Sequence, residues 1–471
     1  MNRRKFLGTV AAAGLLGLGL STKPVFAEPK NNRPNLIAIL IDDMGWKDAG
    51  FAGNRFIETP NLDRIAKSGI IFSQAYAAAP NCAPTRACLM TGQYTPRHGV
   101  YTVVDDRHSP GLPHHKILAT QSKAELDTNA YTIAEALNDH GYATGMVGMW
   151  NLGRGRRGPV TPTGQGFDMY IEPKGLNFER DAYHNTKGEY LTDKMTDTGI
   201  DFINNNKGKP FFLYMAYHAV HAPFDPKPEL LSKYQNKTNG NGDDAAYAAT
   251  VEALDQNIGR LYKCLKSAKL DRNTYILFTS DNGGANQYVA PLRGGKGTLY
   301  EGGIRVPAFA VGPDIKPDQK SDEPISSIDF FPTLLELAGA KAATVDGVSL
   351  APVMTQAKKV FREALYWHFP CYIGQGTPAS AIRFGNYKLI EFFETKTVEL
   401  YDLSKDPSES KDISRRQPEL VELIYGKLKK WQAETNAPCP TEANPNYDPT
   451  AQRQRGRDQR GKGRNRKGSK R

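Results

Sequence analysis

The 471-residue sequence lacks a long apolar run, an internal repeat and a basic central body. After the first 20 residues, no segment approaches the roughly 18 uninterrupted apolar residues of a transmembrane helix. The net charge of +11 is concentrated at the ends: residues 1–27 contribute +4 and residues 452–471 contribute +9, which leaves −2 for the remainder. A nucleic-acid-binding fold carries its basic charge on a folded face, so this distribution excludes that class. The sequence predicts a protein without an integral membrane segment.

The first 27 residues have the pattern of an export signal. Arg3, Arg4 and Lys5 precede a weakly apolar run of Ala, Gly and Leu that ends at Leu20. Val-Phe-Ala at 25–27 then supplies the small residues expected before a cleavage site. We therefore predict a twin-arginine signal peptide over 1–27, too short and glycine-rich to span a bilayer, and a periplasmic or extracellular protein.

Cysteine is scarce for an exported protein, with five residues in the chain. The export route permits disulfides, and Cys371 with Cys439 is the first pair to test, although the sequence does not fix the connectivity. Cys88 and Cys264 are predicted to be buried free thiols.

Apolar runs rich in β-branched residues alternate with helical stretches in the first two thirds of the chain. Strands are predicted at 36–41, 143–147, 211–217, 275–279 and 306–311, and helices at 61–68, 133–139, 193–203, 245–268 and 328–338. This alternation predicts an α/β fold in which helices sandwich a large, mostly parallel sheet. We assign this domain to residues 33–345.

The pattern changes after residue 339. Short strands at 364–369, 379–383, 387–393 and 398–401 precede a helix at 418–435, which predicts a smaller antiparallel sheet with one helix over 346–440. From residue 453 onward the chain contains no apolar residue, so 450–471 is predicted to be a disordered basic tail. Such a tail would attract polyanions without specificity.

Acidic residues directly follow two of the predicted strands. Asp42 and Asp43 come after 36–41, and Asp281 and Asn282 come after 275–279. Ligands of an open parallel sheet gather beyond the carboxyl ends of its strands, so these side chains are expected to meet. Three carboxylates and an amide oxygen suit Ca²⁺, or less often Mg²⁺.

One motif carries a resemblance to a known family. Residues 82–92 read Cys-x-Pro-Thr-Arg-x-x-Leu-x-Thr-Gly, which resembles the activation signature of the type I sulfatases in the alkaline phosphatase superfamily. In that family the cysteine, here Cys82, is oxidised by a maturation enzyme to Cα-formylglycine (3-oxoalanine), whose hydrate is the nucleophile. The resemblance implies an alkaline-phosphatase-like catalytic domain, one Ca²⁺ at Asp42, Asp43, Asp281 and Asn282, and a further metal-bound oxygen from residue 82.

Other segments extend the resemblance from about residue 33 to 433. Arg86 would hold the hydrate and offset developing charge. His-Ala-Val-His-Ala-Pro at 218–223 is similar to the family's Pro-His-x-Pro element and assigns proton donation to the leaving oxygen to His221, not His218. Residues 292–307 match another family block, in which Lys296 falls on the sulfate-contacting lysine.

The sequence departs from the family at 148–153. The family's Gly-Lys-Trp-His-Leu-Gly is replaced by Gly-Met-Trp-Asn-Leu-Gly, so Met149 and Asn151 stand in place of a sulfate-binding lysine and a basic histidine. Neither side chain supplies the missing charge or base. Three outcomes are open. The lost charge is replaced by a nearby arginine, which would be Arg154, Arg156 or Arg157, or the base is another histidine, which would be His98, His114 or His115. In the third, turnover is slow and the protein chiefly binds sulfate esters.

These observations predict an exported sulfatase that hydrolyses sulfate monoesters, with carbohydrate favoured over small aryl substrates. One alternative is a phosphodiester or phosphonate hydrolase of the same superfamily. The other is a sulfate-ester-binding protein with a degenerate site.

Overall fold

The computed structural model describes residues 33–104, 109–153, 158–237, 242–285, 288–341 and 345–451, apart from the side chains of 242 and 243. The predicted signal peptide, residues 452–471 of the predicted tail, and Arg154, Arg156 and Arg157 lie outside the described residues. Within these ranges, no helix combines the length and apolar character needed to cross a membrane.

A large mixed sheet forms the centre of the described chain. Its strands are β1 (Asn35–Ile41), β2 (Ile70–Tyr76), β3 (Ala143–Gly148), β4 (Met169–Ile171), β5 (Phe211–Tyr217), β6 (Thr274–Ser280), β7 (Arg305–Val311), β8 (Gln319–Ser321) and β9 (Ile325–Ser326). Their order is β4-β3-β5-β1-β6-β7-β2-β8, with β9 also paired to β2. Pairing is parallel from β4 to β6 and antiparallel on both sides of β7. The predicted mostly parallel sheet is confirmed.

Helices cover both faces of this sheet, as predicted. Successive side chains of a strand point to opposite faces, and in β1 Leu36, Ala38 and Leu40 enter one core while Ile37, Ile39 and Ile41 enter the other. The first core is covered by α2 (Cys82–Thr91), α4 (Ile133–Asp139), α9 (Phe330–Leu337) and α10 (Ala351–Gln356). The second is covered by α1 (Pro60–Lys67), α5 (Leu191–Asn206), α6 (Pro228–Lys237) and α7 (Gly242–Ser267). Two further helices consist of a single turn each: α3 (Thr95–His98) and α8 (Glu301–Ile304).

A smaller antiparallel sheet follows, also as predicted. It consists of β10 (Ala364–Phe369), β11 (Ala379–Phe384), β12 (Tyr387–Phe392) and β13 (Thr397–Asp402), paired in sequence order and followed by α11 (Pro418–Glu434). The sheet shares a core with the first one: Trp367 packs on Tyr76 and donates from Nε1 to the Ala77 carbonyl at 2.8 Å.

All five cysteines are free thiols in the structure. Cys371 and Cys439, the first candidates for a disulfide, are not bonded to each other. The Cys371 thiol lies 3.4 Å from the Thr120 carbonyl, and the Cys439 thiol lies 3.5 Å from the Ala437 carbonyl. Cys88 is buried as predicted. Cys264 is only partly buried, contrary to the prediction, because it lies between the buried face of α7, with Leu261 and Leu265, and exposed Lys263.

Candidate active site

The acidic residues predicted from the strand ends meet at the carboxyl edge of the main sheet. The last residues of β1 and β6, Ile41 and Ser280, are register partners, so the residues that follow lie side by side. The Asp43 amide donates to Asp281 Oδ1 at 3.2 Å, and Asn282 Nδ2 lies 2.7 Å from Asp43 Oδ1. The adjacent parallel strands therefore bring Asp42, Asp43, Asp281 and Asn282 together.

Cys82 begins α2 and points its thiol into this acidic group. Its Sγ lies 3.1 Å from Asp42 Oδ1 and 3.7 Å from Asp43 Oδ1. Asp42, Asp43, Cys82 and Asp281 each offer a ligand atom within 4.8 Å of the others, and we call these four residues the acidic cluster. Backbone N–H groups at a helix start favour negative charge, which suits an incoming anion.

Two cations neutralise part of the acidic cluster. Arg86, one turn along α2, places Nη2 at 2.8 Å from Asp281 and 3.1 Å from Asp42. Lys296 places Nζ at 2.6 and 2.8 Å from the two Asp43 oxygens and 3.3 Å from Cys82 Sγ. Three carboxylates against these two cations leave an excess negative charge, which a bound cation would compensate.

Electrostatics makes the unmodified thiol a poor nucleophile. Burial raises the pKa of Cys82 well above its usual value, and Asp281 and Asp42 raise it further. Burial also raises the pKa of Asp281, and the charge of Asp42 adds to this effect. For Asp42, burial acts in the same direction, but the charges of Arg86, His221, Lys296 and His218 together outweigh it, so the pKa is lowered. The site stabilises carboxylate at Asp42 and neutral thiol at Cys82.

The donor set fits a hard divalent cation. The carboxylates supply several oxygens in a buried pocket, the ligands that Ca²⁺ prefers. Asn282 is oriented with its amide nitrogen toward Asp43 and Asp281, while its oxygen accepts from the Gly284 amide at 3.1 Å. A metal ligand at Asn282 would use the oxygen, so its amide would have to turn when a cation binds.

His221 faces the acidic cluster from the end of β5. Its Nε2 lies 3.7 Å from Asp43 Oδ2, and 31 % of its side chain is exposed, so solvent or substrate can reach it. Its Nδ1 lies 2.6 Å from the Ala222 carbonyl. The Tyr183 hydroxyl donates to the His221 carbonyl at 2.7 Å and fixes the backbone there. Sequence reasoning missed Tyr183, because it lies in an irregular segment without a recognisable motif.

Met149 and Asn151 follow β3 and are partly buried. The Met149 carbonyl accepts a hydrogen bond from Arg86 Nη1, and its amide donates to the Ala216 carbonyl at 3.0 Å. Asn151 has a left-handed backbone, with φ +59°, which asparagine tolerates well. The departure from the family motif therefore changes side chains on a loop whose backbone supports Arg86.

The histidines considered as replacement bases have other contacts. His98 lies 3.4 Å from Cys88 Sγ through Nε2 and accepts from the Val100 amide through Nδ1. Burial lowers the pKa of His98 to about 3. Both nitrogens are thus engaged away from the acidic cluster. His115 stacks on Tyr372, with ring centroids 3.8 Å apart, and His114 packs edge-on against His115.

Comparisons with known proteins agree with this arrangement. The sulfatase family model matches residues 34–340, and the model for the C-terminal part of N-sulphoglucosamine sulphohydrolase matches 295–435. A sulfatase of Formosa agariphila is 31% identical, over 89% of this chain and 93% of that protein. The N-acetylgalactosamine-6-sulfatase of Mus musculus is also 31% identical, over 81% and 76%. The crystal structure of Ps i-CgsB in complex with k-i-k-neocarrahexaose is similar at a TM-score of 0.73 and 30% identity, over 86% and 93% of the two chains.

Proposed function

The chain belongs to the sulfatase family and is a hydrolase of sulfate esters, and from this premise we propose that it is an exported, formylglycine- and Ca²⁺-dependent sulfatase of sulfated carbohydrates. The observation that carries the proposal is the position of Cys82. Its side chain lies beside three carboxylates, of which Asp42 and Asp281 are buried and Asp43 is partly buried, with Arg86 and Lys296 at hydrogen-bond distance from them.

The proposal that residue 82 is modified rests on the chemistry of its surroundings. A thiol whose pKa is raised by burial and by neighbouring carboxylates is a weak nucleophile and a poor ligand for a hard cation. As formylglycine, residue 82 would supply a nucleophilic oxygen in place of sulfur. That oxygen would also suit the oxygen-rich metal site.

The residues proposed to hold Ca²⁺ are Asp42, Asp43, Asp281 and Asn282, together with residue 82. When bound, the ion supplies positive charge that favours the sulfate oxygens. Lys296 contacts Asp43, so a metal ion held by Asp43 would have the Lys296 ammonium beside it. The Lys296 Nζ also lies 3.3 Å from Cys82 Sγ, so it is placed to contact a sulfate group that approaches residue 82.

The other side chains have distinct proposed roles. Arg86 is held by Asp42, Asp281 and the Met149 carbonyl, so its guanidinium is fixed beside residue 82 and offsets negative charge there. His221 donates a proton to the leaving ester oxygen. Because a carbonyl only accepts, the contact of Nδ1 with Ala222 requires the proton on Nδ1, and a second proton on Nε2 would face the cluster near Asp43.

Two similar proteins support the choice of substrate, and the first residues of the chain support the location. The mouse relative is an N-acetylgalactosamine-6-sulfatase, and Ps i-CgsB binds k-i-k-neocarrahexaose in its crystal structure. Both names point to sulfated or carbohydrate substrates of similar proteins. The arginine pair and apolar run at residues 3–20 support export by the twin-arginine route.

The test combines mass analysis with activity. Protein made in a host with the maturation enzyme should carry residue 82 about 18 Da lighter than cysteine. Cys82→Ala should abolish release of sulfate from sulfated oligosaccharides while the fold is retained, as judged by circular dichroism. Fully active protein with an unmodified thiol would contradict the proposed nucleophile. Parallel assays on phosphate diesters and phosphonates test the alternative within the superfamily.

A second candidate function, binding of sulfate esters without turnover, is favoured by Met149 and Asn151. These two side chains supply neither the lysine charge nor the basic histidine of the family motif. Calorimetry that detects stoichiometric binding, with no free sulfate after prolonged incubation of mature protein, would identify this function.

A further inference from the structure

A second group of potential metal ligands lies beside the proposed active site. Asp181, His218 and His221 each offer a ligand atom, and these atoms lie within 4.8 Å of one another. The two imidazole rings come from one short segment, three residues apart, with centroids 5.3 Å apart. The acidic cluster holds only oxygens and one thiol, whereas this group holds two imidazoles and one carboxylate.

His218 provides an independent indication of a ligand. The residue is 2 % exposed, and among the described residues neither ring nitrogen has a hydrogen-bond partner. A buried polar group without a partner is unfavourable and calls for an ion, a water molecule or a functional reason. The proposed chemistry at the acidic cluster assigns no task to His218.

The other two residues are placed to complete a site. The contact of His221 Nδ1 with the Ala222 carbonyl leaves the lone pair of the neutral ring on Nε2. The Asp181 side chain is 42 % exposed, so an ion can reach the group from solvent. Three protein ligands leave one position of a tetrahedral ion for water or an anion.

We propose that Asp181, His218 and His221 form a transition-metal site, best suited to Zn²⁺, that is separate in composition from the Ca²⁺ site. Imidazole nitrogen is a borderline ligand that suits Zn²⁺ and is disfavoured by Ca²⁺. An ion bound here uses the His221 lone pair, so His221 can no longer carry a proton to the leaving oxygen. Zn²⁺ is therefore an inhibitor of turnover, a consequence that rests on the proposed role of His221.

The experiment measures Zn²⁺ binding and inhibition separately. Mature protein without a polyhistidine tag, kept in excess Ca²⁺ to fill the acidic cluster, is titrated with Zn²⁺ by calorimetry. Initial rates on a sulfate ester are recorded over the same Zn²⁺ range. The variants are His218→Gln, Asp181→Asn and the matched control His184→Gln, which changes a nearby histidine that pairs with Asp225 instead. Thermal unfolding curves check that each variant is folded.

We expect one Zn²⁺ per chain in wild type and His184→Gln, with affinity at least about tenfold weaker in His218→Gln and Asp181→Asn. The two weakened variants should also need correspondingly more Zn²⁺ for inhibition. No Zn²⁺ binding in excess Ca²⁺, or binding unchanged by His218→Gln, would overturn the site. Binding without inhibition would overturn the regulatory role.

Failure of the proposed function gives a different result. If the protein binds Zn²⁺ through His218 but hydrolyses no sulfate ester under any metal condition, the metal site stands and the catalytic proposal falls.

Discussion

Replacing Lys388 tests whether a buried ion cluster holds the small sheet to the loop that carries Lys296. Lys388, on β12, places Nζ 3.0 Å from Glu301 Oε1 and 2.9 Å from Glu409 Oε1, and all three side chains are fully buried. Glu301 begins α8, five residues after Lys296, and its amide donates to Glu409 Oε2 at 2.6 Å. Lys388→Met removes the charge and leaves an unbranched side chain that is one heavy atom shorter.

The size of the effect follows from the geometry. At about 3 Å and an effective dielectric constant of about 20, each pair attracts by roughly 5 kcal/mol before desolvation is subtracted. Removal of one partner from a buried ion pair typically lowers the free energy of unfolding by about 3–5 kcal/mol. A loss of this size is a large fraction of the roughly 5–15 kcal/mol of a typical protein.

The loss should also depend on pH. Burial and the charge of Glu301 already raise the pKa of Glu409, whereas Lys388 lowers it. Without Lys388 the folded-state pKa of Glu409 rises further above its unfolded value, and the pKa of Glu301, which Lys388 lowers in the wild type, rises as well. The folded variant therefore binds extra protons. Stability of the variant relative to wild type therefore increases as pH falls. The difference between the two proteins should be smaller at pH 5 than at pH 8.

Urea unfolding followed by tryptophan fluorescence, at both pH values, measures the difference. The matched control is Lys429→Met, because Lys429 contacts Glu391 Oε1 at 3.0 Å but its side chain is 42 % exposed. An exposed pair of this kind contributes less than about 1 kcal/mol. If Lys388→Met loses no more stability than Lys429→Met, or loses more at pH 5 than at pH 8, the reasoning is refuted.

Three further predictions concern the active site and the tail. Chelation should abolish turnover, and Ca²⁺ should restore it better than Zn²⁺ because the proposed ligands are oxygen atoms. The variant Asp281→Ala should bind no Ca²⁺ in metal analysis. Best recovery of turnover with Zn²⁺ would contradict a Ca²⁺ site made of oxygen ligands. The double change Met149→Lys with Asn151→His should leave turnover of a small aryl sulfate flat or impaired, because the loop retains its shape; a tenfold gain, about 1.4 kcal/mol of barrier, would contradict this. Truncation after Thr450 should leave turnover of the aryl sulfate unchanged but sharply reduce retention on a sulfated polysaccharide column at low salt. Salt of about 0.5 M should remove the difference in retention between full-length and truncated protein by screening. Equal elution of the two proteins at low salt would refute a role of the tail in retention.

The fold could be predicted from the sequence where burial dictates residue type. Strands β1, β5 and β6 lie in the middle of the sheet and are covered on both faces, so they consist of continuous apolar runs and were located to within one residue. Strand β2 was missed. Its register shifts between Phe72 and Ala75, and the intervening Ser73 is exposed, so the strand has neither a continuous apolar run nor a regular alternation.

The site was predictable only in part, for a related reason. Asp42 and Asp281 follow recognisable strands, so the rule for strand ends was enough to bring them together. Cys82 and Lys296 came from the resemblance to a family, since no pattern of polarity identifies them. Tyr183 could not be found by either route: it reaches His221 from 38 residues away, out of an irregular segment, and only the folded chain reveals the contact.

Because Met149 stands in place of the family lysine, the remaining cations must compensate the negative charge of the carboxylates and of a bound sulfate. Arg86 bonds to the Met149 carbonyl, which any residue at this position would supply, so the substitution leaves the guanidinium in place. What is lost is one positive charge of the family motif beside an incoming sulfate. The acidic cluster is left with three carboxylates against Arg86 and Lys296, so a bound divalent metal ion would carry a larger share of the neutralisation. For this reason we expect the chain to depend more steeply on Ca²⁺ and on Lys296 than a sulfatase that retains the lysine.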